Sequence, residues 1–191
     1  MRALLFCLAL LLLGACSPPA KFNGSDLKGV DWGRELALTG HDGKPYGLDS
    51  FKGRAVVLFF GYTQCPDVCP ITMGGMRELM TTLGPDAQRI QVLFVTVDPE
   101  RDTQQLLAQY VPSFHPSFLG LYGDSAATAK VAAEFKIFYR KQPGSNATTY
   151  TVDHTAGSYV FDPSGRLRLY FRHGETPERM AQDLKRLLGG E

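Results

Sequence analysis

The chain has 191 residues, 44% of them hydrophobic and 20% charged, with a formal net charge of +1. That is enough apolar material for one sizeable core, and one folded domain is expected. The near-zero charge and the lack of any long Lys/Arg run exclude the clustered positive footprint that nucleic-acid binding requires.

Residues 2–13 begin with Arg2 and continue as an unbroken apolar run from Ala3 to Leu13, the charged and hydrophobic regions of a secretory signal. The run is too short to span a bilayer. It ends Leu13-Gly14-Ala15-Cys16, which resembles the lipobox of bacterial lipoproteins. That resemblance implies cleavage after Ala15, lipidation of Cys16 and, with more than one acyl chain, durable anchoring to a membrane on its extracytoplasmic, periplasmic side. Residues 1–15 are then a lipoprotein signal peptide. Residues 16–30 are the lipid anchor and a flexible linker, rich in Pro, Gly, Ser and Lys and without apolar periodicity, in which no structure is expected. Of four cysteines, Cys7 leaves with the signal and Cys16 takes the lipid, so Cys65 and Cys69 carry the thiol chemistry of the domain at 31–191. Outside the cytoplasm such a pair becomes a disulfide unless it is reduced or metallated.

Glu35 to Leu48 has apolar residues on either side of His41-Asp42-Gly43-Lys44, which predicts an N-terminal hairpin with His41 on a solvated turn. Ala55 to Phe60 (AVVLFF) is apolar without alternation, as a central strand buried on both faces would be. From Pro70 to Leu83, the residues Ile71, Met73, Met76, Leu79, Met80 and Leu83 recur at helical intervals until Gly84-Pro85 stops them. Gln91 to Val97 is the next strand. Together these form a βαβ unit whose cysteine loop lies at the carboxyl end of its first strand, where open α/β sheets place their sites. Thr103 to Tyr110 and Ser125 to Phe135 read as helices, and Phe118 to Tyr122 and Ile137 to Arg140 as short strands. Ser158 to Phe161 and Leu167 to Phe171 flank Asp162-Pro163-Ser164-Gly165 and predict an antiparallel hairpin. Thr176-Pro177 caps and opens a final helix with Met180, Leu184, Leu187 and Leu188 in one stripe. The order is that of an α/β, thioredoxin-like fold with an N-terminal β-hairpin and an α/β insertion.

Cys65-Pro66-Asp67-Val68-Cys69-Pro70 is the most informative stretch. Pro70 suits the first helical position, which puts Cys69 near the N-cap, where the helix dipole favours its thiolate. A thiolate serves disulfide exchange and metal binding alike. As an inert clip the pair would contribute only about 2 kcal/mol across so short a loop. Thioredoxin-type reductases normally have two residues between their cysteines; here there are three.

A metal site needs a third ligand. His41, His115 and His173 read as solvated surface residues, whereas His154 precedes the strand at Ser158, in a connection that runs beside the cysteine loop of a thioredoxin-like sheet; taken alone it reads as a loop or capping residue, with ligation as the alternative. Two thiolates and an imidazole suit Cu(I), and by ligand type alone a zinc ion with an open fourth position fits equally. Asp67 and Asp153 read as solvated turn carboxylates with a possible second role in orienting ligands. Asp102 reads as the cap of the helix starting near Thr103. Asn146-Ala147-Thr148 has the form of a glycosylation sequon, with no role expected in a bacterial lipoprotein.

Three segments together carry a family resemblance: Gly61-Tyr62-Thr63-Gln64-Cys65-Pro66-Asp67-Val68-Cys69-Pro70, Val97-Asp98-Pro99-Glu100-Arg101-Asp102-Thr103 and Val152-Asp153-His154-Thr155. From about Asp31 to Leu188 the chain resembles the Sco/SenC family. The resemblance implies that Cys65, Cys69 and His154 bind a copper ion, Cu(I) or Cu(II). It further implies a metallochaperone, not an enzyme, that assists assembly of the dinuclear copper centre of cytochrome c oxidase. Its partners would be the copper-bearing subunit of that oxidase, or another copper acceptor, and a thiol reductant. Relatives that exchange disulfides usually carry a cis-proline where this chain has His154-Thr155, and no proline occurs between Pro143 and Pro163. A thiol-disulfide oxidoreductase that reduces the acceptor's cysteines, or a copper or redox sensor, would use the same residues.

Overall fold

The computed structural model describes residues 21–144 and 149–191. The expected signal at 1–15, Cys16 and the sequon at 146–148 therefore lie outside the described residues. In chain order the strands are β1 (Ser25–Asp26), β2 (Leu38–Gly40), β3 (Pro45–Tyr46), β4 (Ala55–Gly61), β5 (Ile90–Thr96), β6 (Leu119–Tyr122), β7 (Tyr139–Gln142), β8 (Thr151–His154), β9 (Ser158–Phe161) and β10 (Leu167–Phe171). The helices are α1 (Val68–Leu83), α2 (Gln104–Phe114), α3 (Ser125–Glu134) and α4 (Pro177–Leu188).

Eight strands form one sheet in the order β1-β10-β9-β4-β5-β6-β2-β3, and β7 and β8 form a separate two-stranded ribbon. β4, β5 and β6 run parallel, while β9 joins β4 antiparallel. This is the thioredoxin-like arrangement, with the first hairpin (β2, β3) added at one edge. All seven residues of β4 and all seven of β5 are buried, so helices and loops cover both faces of the sheet, as a parallel core requires. Phe59, Phe60, Phe94, Phe135, Phe161 and Phe171 fill the interior. The last helix opens as its sequence dictates: Thr176 accepts a hydrogen bond from Arg179 N–H and Pro177 occupies the first turn.

Four expectations are corrected. The linker is not unstructured to residue 30: Ser25 and Asp26 pair with Tyr170 and Leu169 of β10, and the fully buried Asp183 accepts from Asn23 N–H (3.0 Å) and Gly24 N–H (2.8 Å). Short polar strands have no apolar signature, so only their partners reveal them. α1 begins at Val68 instead of Pro70. Its first amides need no intrahelical acceptor, so Pro70 is tolerated inside the first turn. α2 extends to Phe114 through Pro112, in its last turn, at the cost of one backbone bond. The strand foreseen at Ile137–Arg140 lies two residues later, because Ile137 is buried in the core and the ribbon starts beyond it.

Candidate metal centre

β4 ends at Gly61, and the loop from Tyr62 leads into α1, whose first turn drives Cys69 into the core while Cys65 stays half-buried above it. Cys69 N–H donates to Cys65 Sγ (3.4 Å). From the opposite direction the ribbon brings in His154, whose Nε2 stands 3.5 Å from Cys69 Sγ. One donor atom from each of the three residues lies within 4.8 Å of the others. Gly61 is required by this packing, since a Cβ there would stand 3.0 Å from Cys69 Sγ, 2.8 Å from the Phe59 ring and 2.9 Å from that of Phe94.

The imidazole is oriented for coordination. Its Nδ1 is 3.0 Å from the Thr155 carbonyl, which can only accept, so Nδ1 carries the proton and the Nε2 lone pair faces the sulfurs. The edges of Phe59 and Tyr62 flank the ring. Burial holds the His154 pKa below its ordinary value, only partly opposed by the Thr155 carbonyl and by Asp153, which keeps the ring neutral as a ligand must be. Cys69 contradicts its expectation: burial pushes its thiol well above the ordinary range, outweighing the helix N-terminus, so the free thiol is protonated at neutral pH.

Beneath the cysteines lies a buried polar network. Asp102, 1% exposed, accepts from Thr63 N–H (3.0 Å), Thr63 Oγ1 (2.6 Å) and Thr96 Oγ1 (2.7 Å). It is not the cap of α2, which is Thr103, accepting from Leu106 N–H (3.2 Å). The carboxylate turns inward because it is the acceptor for three otherwise unmatched donors of the cysteine loop and β5. Asp98, also buried, is ion-paired with Arg101 through Nε and accepts from Tyr150 Oη (2.7 Å). Arg101 Nη1 in turn donates to the Tyr150 carbonyl (2.8 Å) and to Gln64 Oε1 (3.3 Å). Tyr62 Oη accepts from Val152 N–H (3.2 Å). The sequence signal for this network was the charged run 98–102 at the same sheet edge as the cysteines; its partners Tyr150 and Thr63 gave none.

Other residues singled out lie elsewhere. His41 is not simply solvated: it is half-buried, its Nδ1 accepts from Gly120 N–H (2.9 Å), and burial lowers its pKa. His115 is half-buried against Ser117, and His173 is exposed beside Thr72. Asp67 and Asp153 are exposed, Asp153 accepting from Gln142 (2.5 Å), and neither belongs to the three-donor cluster. Ile71 and Phe138 are the large apolar residues most exposed among the described residues, at 59% and 61%. Phe138 exchanges hydrogen bonds with Thr155, but neither Ile71 nor Phe138 lines the cavity over Cys65 and His154, whose apolar walls include Pro66, Val68 and Ala156.

A trigonal ion about 2.2 Å from each donor needs donors about 3.8 Å apart, so this cluster closes on one with movements of about 1 Å. A family model for SCO1/SenC matches residues 25–189. The chain belongs to the SCO1/SenC family. Among curated relatives, this SCO1/SenC chain is 32% identical over 154 residues to the mouse mitochondrial protein SCO2 homolog, covering 80% of this chain and 60% of that one. It thus spans well under two thirds of the mouse protein's length. Among solved structures, copper-bound ScoI of Bradyrhizobium japonicum is 41% identical with a TM-score of 0.74, covering 80% of this chain and 97% of that one. Apo Sco1 of Thermus thermophilus is 40% identical with a TM-score of 0.78, covering 89% and 99%. The family match begins six residues before the resemblance read from sequence, at the start of β1.

Proposed function

We propose that this SCO1/SenC protein is an extracytoplasmic copper metallochaperone, held to the membrane by a lipid on Cys16, that carries copper on Cys65, Cys69 and His154. The division into a signal at 1–15, an anchor and linker at 16–30 and a copper-binding domain at 31–191 belongs to the same reading, with the folded part extended back to about residue 23. The observation that carries it is the convergence of two thiols and a properly oriented imidazole within 4.8 Å at one rim of the domain. The copper-bound relative from Bradyrhizobium supports copper over zinc as the cargo.

Copper displaces the thiol protons, which offsets the burial that keeps Cys69 protonated when free. Cys69 is the inner, fixed ligand. Cys65, half-exposed, is the ligand an incoming acceptor sulfur displaces first, so the ion leaves by stepwise ligand exchange. Pro66 and Val68, which line the cavity over Cys65 and His154, offer such an acceptor an apolar rim. Oxidation of Cys65 and Cys69 to a disulfide removes two ligands, so loading needs a thiol reductant. The acceptor proposed is the copper-bearing subunit of cytochrome c oxidase.

The test is transfer from the reduced, Cu(I)-loaded protein to an apo fragment of that subunit, beside His154→Ala. Wild type delivers copper and the variant does not. Full delivery by His154→Ala would contradict the chaperone reading, because thiol exchange alone survives that change.

A further inference from the structure

The three ligands do not share one framework. Cys65 and Cys69 follow β4, the centre of the main sheet, whereas His154 ends β8, a strand of the separate ribbon, whose only strand partner among the described residues is β7. The Cys–His distance therefore depends on how the ribbon is attached to the sheet, and backbone pairing between the two sheets does not fix it. Beside the buried Val152, whose N–H donates to Tyr62 Oη, one turn supplies a set of polar attachments. From Asp98–Arg101, directly after β5, the Asp98 carboxylate accepts from Tyr150 Oη, Glu100 pairs with Lys141 of β7 (2.5 Å), and Arg101 Nη1 donates to the Tyr150 carbonyl just before β8. The Arg101 guanidinium also lies 3.5 Å from the Tyr150 ring centroid and 5.6 Å from that of Tyr62, and reaches Gln64, the residue before Cys65.

We infer that Arg101 is a positioning residue for the copper site: by holding Gln64 and Tyr150 at once, it keeps the cysteine loop and the histidine ribbon at the spacing that copper requires. The planar fork is needed for this. One nitrogen serves the buried Asp98 while another reaches the Tyr150 carbonyl and the Gln64 side-chain oxygen, and the flat face stacks on Tyr150. A lysine retains the charge for Asp98 but cannot make the remaining contacts together. Removing outer contacts of this type costs metal sites about 10- to 100-fold in affinity. The inference rests on the copper-binding reading of the site and adds to it the device that sets the ligand spacing.

Arg101→Lys and Arg101→Ala test it in the full-length protein, with Thr176→Ala, a cap variant on distant α4, as the control for general destabilisation. Cu(I) affinity is measured by competition with a chromophoric chelator. The Cu(II) form is examined by electron paramagnetic resonance for nitrogen coupling from His154. Without metal, NMR nuclear Overhauser contacts between the His154 ring and the Tyr62 ring report the spacing directly. The expected result is about a tenfold or greater loss of affinity for both Arg101 variants, with weakened nitrogen coupling and lost ring contacts. Arg101→Lys should do this at near wild-type melting temperature, and Thr176→Ala should change none of the three. Wild-type affinity and intact ring contacts in both Arg101 variants would overturn the inference while leaving the copper reading standing. Wild-type protein that takes up no copper would sink the copper reading itself, and the metal-free ring contacts would still decide whether Arg101 sets the spacing.

Discussion

Replacing Asp102 with alanine tests whether the cysteine loop is held from below. The carboxylate is 1% exposed and accepts from the Thr63 amide, the Thr63 hydroxyl and the Thr96 hydroxyl at 3.0, 2.6 and 2.7 Å. Without it, the Thr63 amide and the buried Thr96 hydroxyl lose their acceptor, at about 1–2 kcal/mol each. The half-buried Thr63 hydroxyl can turn to water. Part of this loss is offset, because burial raises the Asp102 pKa despite the hydrogen bonds that pull it down, so the charged form is held in place at a cost. The net destabilisation is about 2–3 kcal/mol, which at a urea slope of about 2 kcal/mol/M lowers the midpoint by about 1–1.5 M. Asp102→Asn keeps an acceptor and sheds the charge, and should lose less than about 1 kcal/mol at pH 7. A raised carboxyl pKa means the folded state favours the protonated form. That contribution is present at low pH and lost as pH rises through the folded value, so wild type should gain on Asp102→Asn as pH falls through that raised value. Urea unfolding of the reduced, metal-free protein followed by Trp32 fluorescence measures all three. An alanine variant whose midpoint stays within about 0.2 M of wild type would refute the reasoning.

Gly61→Ala pushes a Cβ to 3.0 Å from Cys69 Sγ and 2.8 Å from the Phe59 ring; overpacking should cost about 1–3 kcal/mol and weaken copper binding together, seen by calorimetry with and without metal. Thr176→Ala removes the cap bond to Arg179 and should cost about 1 kcal/mol in urea with no change in copper affinity. Because burial keeps the Cys69 thiol protonated, copper uptake at neutral pH should release the Cys69 proton and tighten as pH rises, measured by titration calorimetry in buffers of different ionisation enthalpy; uptake without proton release would contradict Cys69 as a ligand. Val68→Ser should slow delivery to the acceptor fragment in stopped-flow mixing while leaving affinity intact, since this residue lines the cavity over Cys65 and His154 and is not among the three donors.

Much of this architecture was readable from residue patterns. β4 and β5 announce themselves as apolar runs without alternation because both faces are covered, and the hairpin of β9 and β10 was found to the residue because Pro and Gly mark its turn. The place of His154 before β9 made ligation plausible, and the family resemblance of Val152-Asp153-His154-Thr155 singled it out. The direction of the Cys69 shift was missed because a helix N-terminus is visible in sequence and the depth of burial is not. Asp102 was misassigned for a similar reason: a carboxylate beside a helix start looks like a cap until Thr63, 39 residues away, is seen to need it. β1 and the Arg101–Tyr150 contact went unseen because both are set by partners distant in the chain, with no periodicity to advertise them.

Joint binding of one copper ion by Cys65, Cys69 and His154 is tested most directly by X-ray absorption at the copper edge of the reduced, Cu(I)-loaded protein. The expected spectrum shows a shell of two sulfurs and one nitrogen at one copper per chain, with the nitrogen lost in His154→Ala. A sulfur-only shell in wild type, or a spectrum unchanged by His154→Ala, would contradict joint binding.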